Sequence, residues 1–245
     1  MERQLLKIGG TLYADSQAII CRFTSPLVVL STSLYNGGYL TADAVFNHRL
    51  SFFVNSEQDL PGGSMANYLR IVAEGYGLNR ERATGLLTSA RMNCRGYSMR
   101  THNETIIEVV ATAGVDGNAV CAGDPACYAE HNGEYLPVGG TINIIALTNI
   151  NLPPGTMAKA LISITEAKTA VLQELAVLSP FTRNQATGTG GIILACNPAS
   201  TVVCGDAGTQ SKLGELFCRA VKDAVSQSLA KECNLELQRQ GCMSG

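Results

Sequence analysis

Short apolar runs come early in this chain and long helical repeats come late, and that order limits what it can fold into. Residues 3–33 hold LLKIGG, TLYAD, QAIICRF and PLVVLSTS, each cut off by Gly, Asp or a hydroxyl-rich end. Apolar runs of that length between turn residues read as strands joined by tight turns. Residues 44–54, AVFNHRLSFFV, read as a further strand, and Pro61-Gly62-Gly63 marks a loop. Ser64 then caps a helix to about Tyr76 that puts Leu69, Val72 and Ala73 on one face. Segments 84–94 and 104–113 return to strand patterns. Residues 114–140 are irregular, and so long a stretch points to function, an embedded hairpin or mobility. Thr141 to Leu147 reads as a buried strand, and Pro153-Pro154-Gly155 turns the chain into a helix over 156–176. Ile192 to Cys196 is a short central strand, and Thr201 to Cys204 is a candidate for another. The last helix starts near Thr209 or Ser211 and passes Leu229. Helices and strands do not alternate as a doubly wound fold requires. The expectation is one α+β domain over residues 1–245, with a mixed or largely antiparallel sheet and two long helices in the C-terminal half.

Bulk properties exclude several function classes. Hydrophobic residues make up 46% and charged residues 16% of 245, which argues against general disorder. A net charge of -2 lacks the basic surface of a nucleic-acid binder. No run approaches the roughly 18 apolar residues of a membrane span. MERQLLKIGG is too polar for a signal peptide, so the expected location is the cytoplasm. The nine cysteines are then expected as free thiols. No C-x-x-C occurs, and only His48, His102 and His131 exist as histidines. Cys121, Cys127 and His131 could meet on one loop, but small buried fillers are the better reading of the two cysteines. No metal and no other cofactor is expected.

Three segments carry concentrated polar chemistry. In the 156–176 helix, Met157, Leu161, Ile164, Leu172 and Leu175 follow helical spacing, and Lys168 falls inside that face. Snorkelling is the ordinary solution for such a lysine. Glu166 projects nearly opposite, where it is either solvated or a desolvated base. Gly205-Asp206-Ala207-Gly208-Thr209-Gln210-Ser211-Lys212 opens a helix, yet it lacks the order of a Walker loop. Ala186-Thr187-Gly188-Thr189-Gly190 precedes a strand, whereas a dinucleotide fingerprint follows one. In the first half, STSLYNGG presents hydroxyls and then Asn36-Gly37-Gly38, either a plain tight turn or a binding edge. Asn47 and His48 follow on a strand, and a lone histidine is more often structural than catalytic. No G-x-S-x-G elbow appears.

Taken together, STSLYNGG (31–38), FNH (46–48), TAGVDGNAVCAGDPA (112–126), GGTINIIAL (139–147), TEAKTAVLQEL (165–175), SPF (179–181), ATGTG (186–190) and AGTQSKLGEL (207–216) resemble the adenosylcobinamide amidohydrolase family. The segments run in order across nearly the whole chain. One departure stands out: the family pattern often carries Thr-Asp after ATGTG, where this chain has Gly191-Ile192. The resemblance implies corrinoid salvage, by hydrolysis of the amide between the aminopropanol arm and a corrin propionate. The corrinoid would then be substrate, not cofactor, and a homo-oligomer is left open. Residue chemistry offers Glu166 or Glu215 to activate water, and Lys168 or Lys212 to meet the oxyanion or protonate the leaving amine. Thr187, Thr189 and Ser211 are candidate nucleophiles or donors. A corrin rimmed with amides calls for Asn, Thr, Ser and backbone contacts, from Asn36, Gly37, Gly38, Asn47, Thr187, Thr189, Ser211 and Lys212. Thr187, Thr189 and Ser211 are expected to share one pocket with the Asn36-Gly37-Gly38 turn. Two rival readings are a corrinoid-binding protein without hydrolysis and a Thr- or Ser-nucleophile amidase acting on a smaller amide.

Overall fold

The computed structural model describes residues 1–52, 54, 56–115, 119–126 and 141–243, with side chains through 232. Nine strands join one mixed sheet. They are β1 (Glu2–Leu6), β2 (Gly10–Ala14), β3 (Ala18–Ser31), β4 (Gly38–Arg49), β5 (Ala83–Thr88), β6 (Gly96–His102), β7 (Thr105–Ala113), β8 (Ile142–Thr148) and β9 (Ile192–Cys196). Among the described residues, three α-helices accompany them: α1 (Met65–Gly75), α2 (Pro154–Glu174) and α3 (Lys212–Met243). The α+β expectation holds, and the pairing is mixed: β4–β5 and β8–β9 are parallel, and the other pairs are antiparallel.

The architecture turns on β3. Along one edge, its first half pairs with β2 and its second half with β9, while β4 follows the other edge. Between the halves the register with β4 slips from Arg22↔Ala44 to Leu27↔Ala42. Pro26 lies in this gap, where it removes a ladder donor. A bulge bends a strand and increases its twist, so the sheet divides there into two stacked layers. One layer continues through β9, β8, β7 and β6; the other holds β1, β2 and the start of β3. Leu12, Ile19, Val29, Val45, Ile145 and Ile193 pack between the layers. The outer face of β7–β9 is covered by α2 and α3 through Ile144, Leu194, Ile164, Leu172, Phe217 and Val221. On the other side α1 sets Leu69, Val72 and Ala73 against Ile20 and Phe46.

Several elements match their sequence signals. Ser64 caps α1, its side chain accepting from Asn67 N. Every residue of β8 is buried, as a continuous apolar run requires. Elsewhere the structure departs from expectation. Residues 96–102 form β6, which the pattern did not suggest; its burial is confined to Gly96, Ser98 and partly buried neighbours, so it carries no apolar alternation. Residues 201–204 contribute one isolated bridge, Asn151↔Val203, and no strand. The fourth strand begins at Gly38 and ends at Arg49, not at 54. The first of the two long helices, α2, begins not at 156 but at Pro154, a residue suited to a first turn. Lys168 does not snorkel: it is only 6% exposed. Among the described residues, no helix is long and apolar enough to cross a membrane.

The contact between β6 and α3 depends on a missing side chain. A Cβ at Gly96 would stand 1.8 Å from Ala224 O, and that oxygen belongs to helix backbone. Gly96→Ala must therefore push α3 away from the sheet. The expected loss is about 1–3 kcal/mol, read as a fall in Tm of about 2–4 °C per kcal/mol for a chain of this length.

Candidate active site

The site is assembled where β8 and β9 begin. At that end lies a cleft of about 390 Å³ along the free edge of β5. Its polar lining comes from Thr32 and Ser33 after β3, Thr88 and Ser89 at the end of β5, Thr141 and Asn143 at the start of β8, and Gly190-Gly191 before β9. Leu34, Leu50, Val54, Leu60 and Met65 make an apolar wall.

A buried network of amides sets the floor. Asn143 Nδ2 donates to Asn47 Oδ1 at 2.8 Å and to Leu87 O at 3.0 Å. Its Oδ1 accepts from Gly191 N at 2.9 Å. Asn47 Nδ2 in turn donates to Thr112 Oγ1 at 2.8 Å. Four separate stretches, β4, β5, β7 and the loop before β9, are thereby fixed to one residue of β8. Buried amides are costly unless satisfied, and here the donors and acceptors match.

Above the floor stand the hydroxyls. Thr141 Oγ1 donates to Thr88 Oγ1 at 2.8 Å, and Thr88 Oγ1 also accepts from Ala90 N. Thr32 Oγ1 is committed to Ile192, donating to its carbonyl and accepting from its amide. Ser33 Oγ donates to Gly85 O and accepts from Tyr35 N. Among the described residues, Glu57 is the one ionisable side chain in the lining, and its carboxylate accepts from Met65 N at 2.6 Å.

The residues singled out from sequence are scattered around this end and the opposite one. Asn47 lies under the cleft floor, bonded to Asn143. Thr189 pairs its carbonyl with Ile142 N, beside Thr141, and its hydroxyl is buried with no partner among the described residues. Thr187 Oγ1 accepts from Ala122 N at 3.0 Å. Asn36 uses its side chain to brace the turn, donating to Arg80 O and Ala83 O. A Cβ at Gly37 would stand 1.9 Å from Ser33 O, so that glycine answers to close backbone packing. Gly38 starts β4 with φ of 82°. The turn adjoins the cleft through Ser33 and Leu34 but does not line it.

Ser211 is not with them. It caps α3, accepting from Gly214 N and donating to Gly208 O, and that end of α3 packs beside the start of α2 through Lys159–Asp206 and Ser163–Ala207. This is the opposite end of β8 and β9, so the pocket expected to unite Ser211 with the Asn36 turn does not form. Lys212 lies there too, in a depression shared with His102 and Glu104. Glu215 is paired with Lys212 and Arg219. The hydrogen bond and charge of Lys212, with Arg219, hold its carboxyl below the ordinary range, which weakens it as a base. Glu166 is exposed on the outer side of α2. Lys168 is buried on the inner side, with burial lowering its pKa; its Cε would lie 3.9 Å from a Cβ at Gly188. His48 points away from the cleft: neighbouring Asn47 faces the floor, while His48 Nε2 meets Tyr68 OH at 3.0 Å under α1. Burial lowers its pKa to about 4, so near neutrality it is uncharged. At the position of the family's Thr-Asp, a Cβ on Gly191 would meet Leu86 Cδ2 at 2.5 Å, and Ile192 joins the helix-facing core.

Sequence reasoning passed over Thr141, Asn143 and Thr88. Their signal was present as polar residues within apolar strands, Thr141-Ile142-Asn143 above all. Cys121 is half-buried and a free thiol; Cys127 and His131 lie outside the described residues. Among the described residues, no cluster of three or more metal-ligating side chains occurs.

The model of the family described as "CbiZ: Adenosylcobinamide amidohydrolase" matches residues 5–237. The chain is 31% identical over 250 residues to "Uncharacterized protein MJ1613" of Methanocaldococcus jannaschii, covering 95% of this chain and 92% of that protein. Among solved structures, the PH0078 protein from Pyrococcus horikoshii matches 94% of this chain and 83% of its own, with a TM-score of 0.46 and 9% identity. A Burkholderia sp. beta-aminopeptidase matches 94% of this chain and 82% of its own, with a TM-score of 0.41 and 9% identity.

Asn143→Asp tests the floor. The new carboxylate oxygen would face Asn47 Oδ1 and Leu87 O, two acceptors where the amide donated. The expected loss is about 3 kcal/mol, measured by urea unfolding, and it shrinks where the carboxyl is protonated at low pH.

Proposed function

We propose that this chain, which belongs to the adenosylcobinamide amidohydrolase family and is therefore an amide-bond hydrolase, cleaves adenosylcobinamide in the cleft at the start of β8. The products are adenosylcobyric acid and aminopropanol, as corrinoid salvage requires. The observation that carries this reading is the family match across residues 5–237, and the hydroxyl-lined cleft supports it.

Size supports a division of labour. At about 390 Å³ the cleft is near the small end of pockets that enclose a ligand, which run from about 300 to 1,000 Å³. It suits the amide-bearing arm, while the macrocycle stays over the mouth against Leu34, Leu50, Val54, Leu60 and Met65. The hydroxyls of Thr88, Ser89 and Thr141 lie where a neutral amide would be held. An amide is uncharged and so is most of the lining, which avoids the cost of burying an unpaired charge. The described cysteines are free thiols, in keeping with work in the cytoplasm.

Purified protein incubated with adenosylcobinamide, without added metal and with a chelator present, should release aminopropanol and adenosylcobyric acid, read by mass spectrometry. Intact substrate that remains bound would favour a binding protein. Turnover of small amides alone would favour the smaller-amide reading. Loss of activity to the chelator, restored by one divalent ion, would contradict metal-free hydrolysis.

Glu166→Gln is expected to keep turnover within about threefold, because this carboxylate is exposed on the outer side of α2. A general base would instead cost about a hundredfold or more.

A further inference from the structure

We infer that the backbone N–H of Leu87, on the free edge of β5, is a seat for the carbonyl oxygen of a neutral carboxamide. The seat is independent of which carboxamide binds. Its use on the amide of the aminopropanol arm rests on the function proposed above.

Among the described residues, β5 is paired along one edge only, with β4. In a strand the N–H and C=O of one residue point to the same edge, and successive residues alternate between the two edges. The carbonyls show which residues face β4: Arg82 O accepts from Asp43 N, and Thr88 O accepts from Leu50 N. Ala83, Gly85 and Leu87 therefore face outward. A free edge ordinarily presents both donors and acceptors and invites another strand. Here the acceptors are taken. Ala83 O accepts from Asn36 Nδ2 at 2.8 Å, Gly85 O from Ser33 Oγ, and Leu87 O from Asn143 Nδ2 at 3.0 Å. Side chains from the loop after β3 and from β8 thus occupy the carbonyls and leave the N–H groups.

Two of the three outward positions are closed by the chain that follows β3. The Asn36 side chain reaches Ala83, and Tyr35 bridges Gly85. Leu87 stays open. It lines the cleft and is half-buried, and among the described residues no group accepts from its N–H. A backbone donor shielded from most of the solvent and left unpaired costs free energy, so an acceptor oxygen brought by a ligand is favoured there. The donor is also held in direction. Leu86 and Thr88, its neighbours on both sides, pair with β4 in register, and Asn143 grips the Leu87 carbonyl.

The rest of the lining narrows the class of ligand. An N–H takes an acceptor, which rules out an ammonium group. Among the described residues the lining holds one carboxylate, Glu57, and no cation, so an anion meets repulsion with nothing to offset it. A neutral carbonyl avoids both penalties. Thr88 Oγ1 accepts from Ala90 N and from Thr141 Oγ1, which leaves its own hydrogen as a second donor beside Leu87. Thr141 Oγ1 donates to Thr88 and, among the described residues, accepts from none. Its lone pairs suit an amide N–H, a group that a ketone or an ester lacks. Leu34, Leu50, Val54, Leu60 and Met65 supply the apolar surface for the carbon chain on either side of the amide.

The test follows single amides by NMR in the isotope-labelled full-length chain. Without ligand, the Leu87 N–H should exchange with solvent about tenfold or more faster than those of Leu86 and Thr88, which are bonded to β4. N-methylpropionamide, a neutral secondary amide, should shift the Leu87 N–H proton downfield and slow its exchange. Propionate at the same concentration should do neither. Leu87→Pro deletes the donor at an outward edge position, where a sheet tolerates proline. Its Kd for N-methylpropionamide, read at the Thr88 amide, should be about tenfold weaker than that of Leu87→Ala, which loses the side chain and keeps the donor. If Leu87→Pro fails to fold, exchange and shifts in the unaltered chain decide the matter. A Leu87 N–H as protected as its neighbours in the free protein overturns the inference. So does one that N-methylpropionamide leaves unmoved, or that propionate moves as far. A Leu87 response to N-methylpropionamide in a chain that neither binds nor cleaves adenosylcobinamide upholds the seat and overturns the function proposed above. Release of aminopropanol from adenosylcobinamide by a chain whose Leu87 N–H ignores amides does the reverse.

Discussion

The Asn143 side chain is the fixed point on which this molecule is organised. It sits 3% exposed at the start of β8 and uses its amide in three hydrogen bonds. Each partner comes from a different part of the chain: Asn47 on β4, Leu87 on β5 and Gly191 before β9. Thr112 on β7 is held through Asn47. A polar side chain in an otherwise apolar interface costs energy unless its partners meet it in register. That requirement makes the network selective. It is satisfied by one relative placement of the two sheet layers, whereas the surrounding Val, Ile and Leu contacts tolerate small slides.

The second constraint is the divided strand. Because β3 gives its first half to β2 and its second half to β9, the bend near Pro26 brings β4 and β5 over the start of β8. The free edge of β5 and the beginnings of two parallel strands then converge on one opening. Apolar packing closes the molecule elsewhere: helices cover the outer face of β7–β9, and α1 covers β4. The opening has one wall of strand ends, glycines and hydroxyls, facing the apolar wall of Leu34, Leu50, Val54, Leu60 and Met65. Two of those glycines cannot be replaced by larger residues without collision. A Cβ at Gly190 would stand 1.9 Å from Ile142 O, and one at Gly191 would stand 2.5 Å from Leu86. Close approach of backbone to backbone at this point keeps the Thr189–Gly191 loop against Thr141 and Asn143.

Much of the fold could be read from the sequence, because β8, β9, α1 and the two long helices carry strong apolar signals of their own. The edge strand β6 could not. Only Gly96 and Ser98 of it are buried, and its place depends on α3 packing over Gly96, a contact more than a hundred residues away in sequence. The site was less legible still. Charged pairs such as Glu166 with Lys168 and Lys212 with Glu215 attract notice because ionisable groups so often perform catalysis. In the folded chain Glu166 is exposed, Lys168 is buried under Gly188, and Lys212 and Glu215 neutralise each other at the far end. Thr141 and Asn143 look like ordinary polar residues in a strand. Only the register of β8 with β7 and β9, and the fold of β5 above it, gives them their setting. Asn47 was singled out in the sequence as a candidate substrate contact; in the fold its side chain holds Asn143 under the cleft floor.

The central claim is that substrate is handled at the β8 end of the sheet. Hydrogen exchange with and without saturating adenosylcobyric acid, the expected product, locates the site directly. Protection concentrated in 31–34, 85–90, 141–144 and 189–192 is the predicted result. Protection confined to 102–105 and 204–216, around Lys212 and Glu215 at the other end, would contradict it.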